Sequence, residues 1–173
     1  MKRLIVDMDD VIADATGQFI SYYERDFGVR VTRDSLNHKP DGLGFPANHD
    51  AVKGYCYEQG FFRKMTPHEN SQDILEQLNR KYALFIVSAA MEFPQSLIEK
   101  TEWLGEHFAF LSWKQIVFCG SKIVVHGDYM IDDLPRNLET FNGEKLMFTA
   151  PHNMQYDQFR RVNNWKEVAD ILL

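Results

Sequence analysis

Short unbroken apolar runs alternate along the chain with longer stretches whose apolar residues recur every three or four positions. The runs at 3–8, 82–87, 116–118, 129–131 and 145–148 have the length and composition of buried strands. The stretches at 13–27, 94–108 and 165–173, and the one marked by Ile74, Leu75 and Leu78, have the spacing of amphipathic helices. In the first of these, Phe19, Ile20, Tyr23 and Phe27 share a face, and Gly28 supplies the stop. From Pro67 onwards strand and helix alternate, the pattern of a parallel sheet with helices on both faces. The predicted class is α/β.

Residues 15–66 interrupt that rhythm. The run Asn37-His38-Lys39-Pro40-Asp41-Gly42-Leu43-Gly44-Phe45-Pro46 is rich in turn formers and has neither period. Residues 51–62 read as helical again and end in Phe61-Phe62, and Thr66-Pro67 opens the next segment. We therefore expect a small, mainly helical cap at 15–66, inserted after the first strand into a core made of 1–14 and 67–173.

Composition narrows the partners. The 173 residues suffice for one domain with a modest insertion. Apolar residues make up 45% and charged ones 25%, which is globular rather than disordered. Thirteen Phe, seven Tyr and three Trp are generous for this length, enough to fill a core and line a pocket for a flat ligand. A net charge of −6 without a dense Lys/Arg run argues against a nucleic-acid polymer. A small phosphorylated molecule stays compatible, because a bound cation and a few local donors outweigh the overall charge. Cys56 and Cys119 form neither a zinc motif nor a disulfide framework, so free thiols in a reducing compartment are expected. A strand begins by Leu4 and no stretch approaches membrane-spanning length, so the expectation is a cytoplasmic protein, with a homodimer left open.

The chemistry sits where the apolar runs stop. Asp7 and Asp9 follow the first strand, Ser88 the second, and Asp132-Asp133 a later one, with Lys122 between. In a parallel sheet the carboxyl ends of the strands share one edge, so these residues converge. Clustered carboxylates repel one another unless a cation or a proton intervenes. They suit an oxygen-loving divalent ion, most simply magnesium. A carboxylate can attack phosphorus, while a hydroxyl and an ammonium group hold phosphoryl oxygens.

Asp7-Met8-Asp9 after its apolar strand, Ser88 after Leu84-Phe85-Ile86-Val87, Lys122, and Asp132-Asp133 resemble, in order, the four motifs of the haloacid dehalogenase superfamily. Several segments are more specifically similar to the 5′(3′)-deoxyribonucleotidases: Asp7-Met8-Asp9-Asp10-Val11-Ile12-Ala13-Asp14, Glu99-Lys100-Thr101-Glu102-Trp103, Lys122-Ile123-Val124-Val125, Ile131-Asp132-Asp133 and Phe148-Thr149-Ala150-Pro151-His152-Asn153. The resemblance runs from about residue 3 to 153. It implies a Rossmann-like core and hydrolysis of phosphomonoesters, most simply deoxyribonucleoside monophosphates, through an aspartyl phosphate. Asp7 is then the nucleophile, and Asp9 the acid for the leaving oxygen and the base for water. Ser88 and Lys122 hold the phosphate, and Asp7, Asp9, Asp132 and Asp133 form the magnesium site. Phe19, Phe61, Phe62 and Lys100 are the candidate substrate pocket, with Tyr22 and Phe45 as further aromatic candidates. The chain departs from the family pattern at Ala89 and Glu92, where relatives carry a hydroxyl and a lysine. It departs again at Leu134, where a basic residue is usual and Arg136 is the nearest one.

Each residue also has an ordinary alternative. Asp9 and Asp10 suit a helix N-terminus, Ser88 a strand-end turn, and Lys122 and Lys100 a solvated surface. Asp133 suits the cap of a helix starting near Leu134, Trp103 suits packing, and His152 and Asn153 a turn. At the level of function the alternatives are a phosphatase for another small metabolite, a phospho-signalling receiver and a silent nucleotide-binding protein. The intact Asp7/Asp9 pair argues against silence. A receiver places its phosphoacceptor after a middle strand, whereas Asp7 follows the first.

Overall fold

The computed structural model describes residues 1–39, 44–46 and 49–173. Six parallel strands form one sheet: β1 (Arg3–Val6), β2 (Ala83–Ser88), β3 (Ile116–Phe118), β4 (Tyr129–Asp132), β5 (Glu144–Phe148) and β6 (Arg160–Val162). Their order is β3-β2-β1-β4-β5-β6. The chain builds outward from β1 on one side, then returns to build outward on the other. The reversal falls between β1 and β4, the place where an open α/β sheet forms its binding crevice.

Alternation within the strands explains why the sheet is covered on both faces. Leu4, Val6, Leu84, Ile86, Ile131, Leu146 and Phe148 enter one large core, while Ile5, Val87, Met130 and Met147 enter a smaller one with Leu138 and Phe141. Helices α4 (Ser71–Lys81) and α7 (Trp165–Leu172) cover the large side, and α6 (Pro135–Thr140) carries Leu138 to the small one. Trp165 is fully buried, and its Nε1 donates to the Val11 carbonyl at 2.8 Å, fastening α7 beneath the loop after β1.

Between β1 and α4 lie α1 (Ala15–Phe27), α2 (Arg33–Leu36) and α3 (His49–Gly54). Asp14 caps α1 by accepting from Gly17 N at 2.7 Å, and Gly28 ends it in the left-handed conformation (φ +63°). The expected continuous helix at 51–62 is instead broken. Its first part is α3, followed by 3-10 turns at Tyr55–Tyr57 and Phe62–Lys64 around Gly60, whose φ of +88° no regular helix accommodates. The expected irregular run at 37–46 falls partly on residues 40–43, outside the described residues. Strand β1 ends at Val6 rather than residue 8, because Met8 O turns back to accept from the N–H groups of Ile12 and Ala13. Two elements escaped the sequence pattern, α2 and the three-residue edge strand β6. Among the described residues no helix is long and apolar enough to cross a membrane.

Helix α5 (Ser96–His107), which links β2 to β3, grips the returning leg of the 15–66 segment. Buried Glu99 accepts from the backbone N–H groups of Gly60 at 2.5 Å and of Phe62 and Arg63 at 3.1 Å. Fully buried Trp103 donates to Met65 O at 2.7 Å, so its role is packing. Removing the Glu99 carboxylate strands three donors beneath the surface. Glu99→Ala is expected to lower unfolding free energy by about 3 kcal/mol, with Glu99→Gln losing less. Urea denaturation measures both, and an unchanged midpoint for the alanine variant refutes the clamp.

Candidate active site

The residues picked out at strand ends do converge. Asp7 follows β1, Ser88 closes β2, Asp132 closes β4 with Asp133 next, and Lys122 sits in a 3-10 turn (Lys122–Val124) between β3 and β4. Ser121 starts that turn, its hydroxyl accepting from Ile123 N at 3.4 Å. The turn brings the Lys122 ammonium, almost wholly buried, to 2.6 Å from both Asp7 Oδ1 and Asp132 Oδ2. Burial alone opposes the Lys122 charge. Asp132 and Asp7 more than reverse that and raise its pKa, so it stays a cation.

The two neighbouring aspartates of β4 have different surroundings. Asp132 is fully enclosed and saturated: Oδ1 accepts from Leu134 N at 2.9 Å and Asn137 Nδ2 at 3.0 Å, and Oδ2 takes Lys122. It is Asp132, not Asp133, that bonds the first N–H at the start of α6, and Asp132 does not line the cavity below. Asp133 lies 2.9 Å from His152 Nε2 through Oδ2, while its Oδ1 is buried without a hydrogen-bond partner. Burial pushes the Asp133 carboxyl up, but His152, Lys122 and Asp7 overcome it and hold it below the usual carboxylate range. Asp7 goes the other way. Its burial raises it well above that range, Lys122 counters only in part, and Asp132, Asp133 and Asp9 add to the rise.

Lys100 is the largest surprise against a surface reading. Its side chain is buried on α5, with Nζ on Asp9 Oδ2 and 3.0 Å from Ser88 Oγ, above the ring of Phe62 at 4.5 Å. Asp9 Oδ1 is left without a partner. Asp10 takes the backbone bend at φ +54° and accepts from Thr16 N at 2.7 Å and Thr16 Oγ1 at 2.8 Å, so its carboxylate does serve the start of α1.

Asp7, Asp9, Asp10, Asp132 and Asp133 thus face two ammonium groups, Lys100 and Lys122, and one imidazole. That balance leaves net negative charge in a confined space and calls for a further cation or for retained protons. Asp7, Asp132 and Asp133 each offer an oxygen, all within 4.8 Å of one another. An all-oxygen set with the open Asp133 Oδ1 fits a hard divalent ion.

The site opens into a cavity of about 520 Å³, within the range that holds small ligands. Asp7, Asp9, Ser88, Lys100, Lys122 and Asp133 line its polar end. Phe19, Phe61 and Phe62 line it as expected, and so does Phe45, whereas Tyr22 packs behind Phe61 at 5.3 Å between ring centres. The sequence reading missed Lys39, Lys53, Tyr57 and Phe93 on the wall, because nothing in a linear pattern separates a rim residue from solvated surface. His152 lay in a segment already singled out, and its partner Asp133 shows why it is more than a turn residue.

A sheet of this order with a carboxylate pair after β1, a lysine bridging to β4 and a helical insertion over the crevice defines a haloacid dehalogenase-like hydrolase. Solved structures of that kind share the fold: a haloacid dehalogenase-like protein of Agrobacterium tumefaciens (TM-score 0.64, 11% identity, 99% of this chain and 97% of that one), and a haloacid dehalogenase-like hydrolase of Streptococcus pneumoniae (0.61, 14%, 100% and 99%). Within that class the chain belongs to the family described as 5′ nucleotidase, deoxy (Pyrimidine), cytosolic type C, whose model matches residues 1–173. The 5′(3′)-deoxyribonucleotidase of Bacillus subtilis is 35% identical over 180 residues, covering 100% of both chains. A Staphylococcus aureus relative is 39% identical over 174 residues, covering 99% of this chain and 96% of its own.

Burial pushes the Asp10 carboxyl up to about 7, with Asp133 adding to the rise and Thr16 opposing it. An acid whose folded pKa exceeds its unfolded one binds its proton more tightly when native, so stability falls as pH rises from about 4 to about 7. In chelator-treated protein, Asp10→Asn is expected to lose less unfolding free energy than the wild type between about pH 5 and about pH 7.5. Urea titrations at the two pH values test this, and an identical fall in the variant assigns the slope to other groups.

Proposed function

We propose that the chain hydrolyses 5′(3′)-deoxyribonucleoside monophosphates, with magnesium, through a phosphoaspartate on Asp7. The observation that carries the reading is the buried Lys122 bridge from Asp7 to Asp132, set beside the open oxygens of Asp9 and Asp133 at the foot of an aromatic cavity. The names of the curated relatives support the substrate class. Family membership over the whole chain favours an enzyme over the receiver and silent-binder alternatives.

In this reading Lys122, Lys100 and Ser88 receive the phosphoryl oxygens, and the two ammonium groups offset the repulsion between Asp7 and an anionic substrate. An oxygen of Asp7 attacks phosphorus, the bond from phosphorus to the sugar oxygen breaks, and protonated Asp9 gives that oxygen its proton. Asp9 then takes a proton from water, the water oxygen attacks phosphorus, and the bond to Asp7 breaks to release phosphate. Magnesium would be held by Asp7, Asp133 and the Asp9 carbonyl, and when bound supplies Lewis-acid polarisation and a template for the phosphoryl group. Asp132, saturated by Lys122, Leu134 and Asn137, serves as the anchor of that lysine. Residues 15–66 act as the cap, offering the faces of Phe19, Phe61 and Phe62 to the base.

Asp7→Asn keeps the volume and removes the nucleophile. Its turnover of deoxyribonucleoside monophosphates is expected to fall by about a thousandfold or more, with an unchanged circular dichroism spectrum; wild-type-like phosphate release would sink the assignment. Treating the wild type with a chelator should abolish release, and added magnesium should restore it. Undiminished release after metal removal would refute the magnesium reading.

A further inference from the structure

Asp133 is gripped twice, and both grips come from one short stretch of chain. A 3-10 turn (Pro151–Asn153) follows β5. Within it His152 places Nε2 2.9 Å from Asp133 Oδ2. Its neighbour Asn153, wholly buried, donates from Nδ2 to the Asp133 carbonyl and to Phe148 O, both at 2.8 Å. One residue of the turn therefore holds the backbone of Asp133 and the next holds its side chain. Neither has a part in the chemistry above.

We propose that His152 is a positioning residue, which fixes the Asp133 carboxylate so that its Oδ1 stays aimed at a divalent cation; this rests on the reading of Asp133 as a magnesium ligand. Orientation is the first support. With the Asp133 backbone held by Asn153, only the side-chain torsions remain to be set. Oδ2 on the imidazole and Oδ1 buried without a hydrogen-bond partner are two halves of one setting. An ionised carboxylate only accepts, so the ring nitrogen that faces it carries the hydrogen. An outer partner of this kind orders a ligand before the ion arrives and so strengthens binding.

The second support is the distribution of partners. Lys122 serves Asp7 and Asp132, and Lys100 serves Asp9. Among the described residues no lysine pairs with Asp133. Asp10, Asp133 and His152 each offer an atom, all within 4.8 Å of one another. Without the imidazole, the Asp133 carboxylate has Asp10 on one side and Asp7 and Asp132 on the other, and repulsion turns it from the setting the ion needs. His152 is the direct partner for Asp133 that the lysines are for the other acids.

The third support is the stiffness of the turn that carries the imidazole. Asn153 Oδ1 accepts from Ala150 N at 3.2 Å and from Arg161 Nη1 at 2.8 Å. Arg161 Nη2 donates to the carbonyls of Asn153 at 3.0 Å and Tyr156 at 2.5 Å. On the other side of His152, the Pro151 carbonyl accepts from His38 N at 3.0 Å. The backbone is thus tied on both flanks of His152, so aiming its ring costs little further ordering.

The test measures magnesium binding without substrate, by isothermal titration calorimetry, in the wild type, His152→Ala, His152→Phe, His152→Gln and Asp133→Asn. His152→Ala is expected to bind magnesium about tenfold more weakly. His152→Phe keeps a ring and lacks the donor, so it should lose as much, which reads the effect even if the alanine variant loosens the turn. His152→Gln, whose amide reaches toward the same oxygen, should recover most of the loss. Turnover gives a second readout: at saturating magnesium, His152→Ala should regain kcat to within about threefold of the wild type with an unchanged KM. Unaltered magnesium affinity in the alanine and phenylalanine variants, or an equal loss in the glutamine variant, overturns the assignment. So does a raised KM at saturating magnesium, which makes His152 a substrate contact. A wild type that binds no magnesium, or an Asp133→Asn variant that binds it as well as the wild type, overturns the reading of Asp133 as a ligand together with the role of His152.

Discussion

An ammonium group sealed beneath the surface between two carboxylates holds this site together. Lys122 reaches Asp7 and Asp132 at 2.6 Å each, with almost no exposure to water. Desolvating three charges is expensive, and only mutual pairing offsets that cost. The triad therefore demands that β1, β4 and the 122–124 turn meet in one arrangement. The parallel order with β1 and β4 as neighbours supplies it. Asn137 and the Leu134 N–H complete the shell around Asp132, so α6 is drawn into the same constraint. Asp133 is then left facing the cavity with one oxygen open, so a saturated carboxylate and an open one sit on adjacent residues.

Much of this is legible in the sequence alone. The strands stood out as apolar runs because both sheet faces are covered, and polar residues at their carboxyl ends marked the crevice. Helices α1, α4, α5 and α7 carry a clear three-to-four periodicity because each buries one face. What escaped has physical reasons. Strand β6 is three residues long and begins with two arginines, and Arg161 spends its guanidinium on the carbonyls of Asn153 and Tyr156 rather than on solvent. The break between the turns at Tyr55–Tyr57 and Phe62–Lys64 falls at Gly60, whose positive φ a helical period does not register.

Lys100 illustrates the limit more sharply. On a helical wheel it is one polar position among others. Its burial comes from Asp9, 91 residues earlier, and from Ser88 at the end of another strand. Residue type and local period carry no trace of that pairing; only similarity to related sequences flagged the position.

The grip of α5 on the returning leg has a consequence for how such proteins diversify. Glu99 holds the backbone at residues 60–63, while its neighbour Lys100 holds Asp9 and Ser88. The apolar residues of 15–66, among them Tyr23, Leu36, Val52 and Phe61, also belong to the same continuous core as Leu4, Val6 and Trp103. The inserted segment is thus not an interchangeable module. A recombinant that swaps 15–66 for the corresponding stretch of a distant relative must bring that relative's α5 along. Otherwise it inherits a seam in which neither the loop's amides nor the Asp9 carboxylate finds its counterpart.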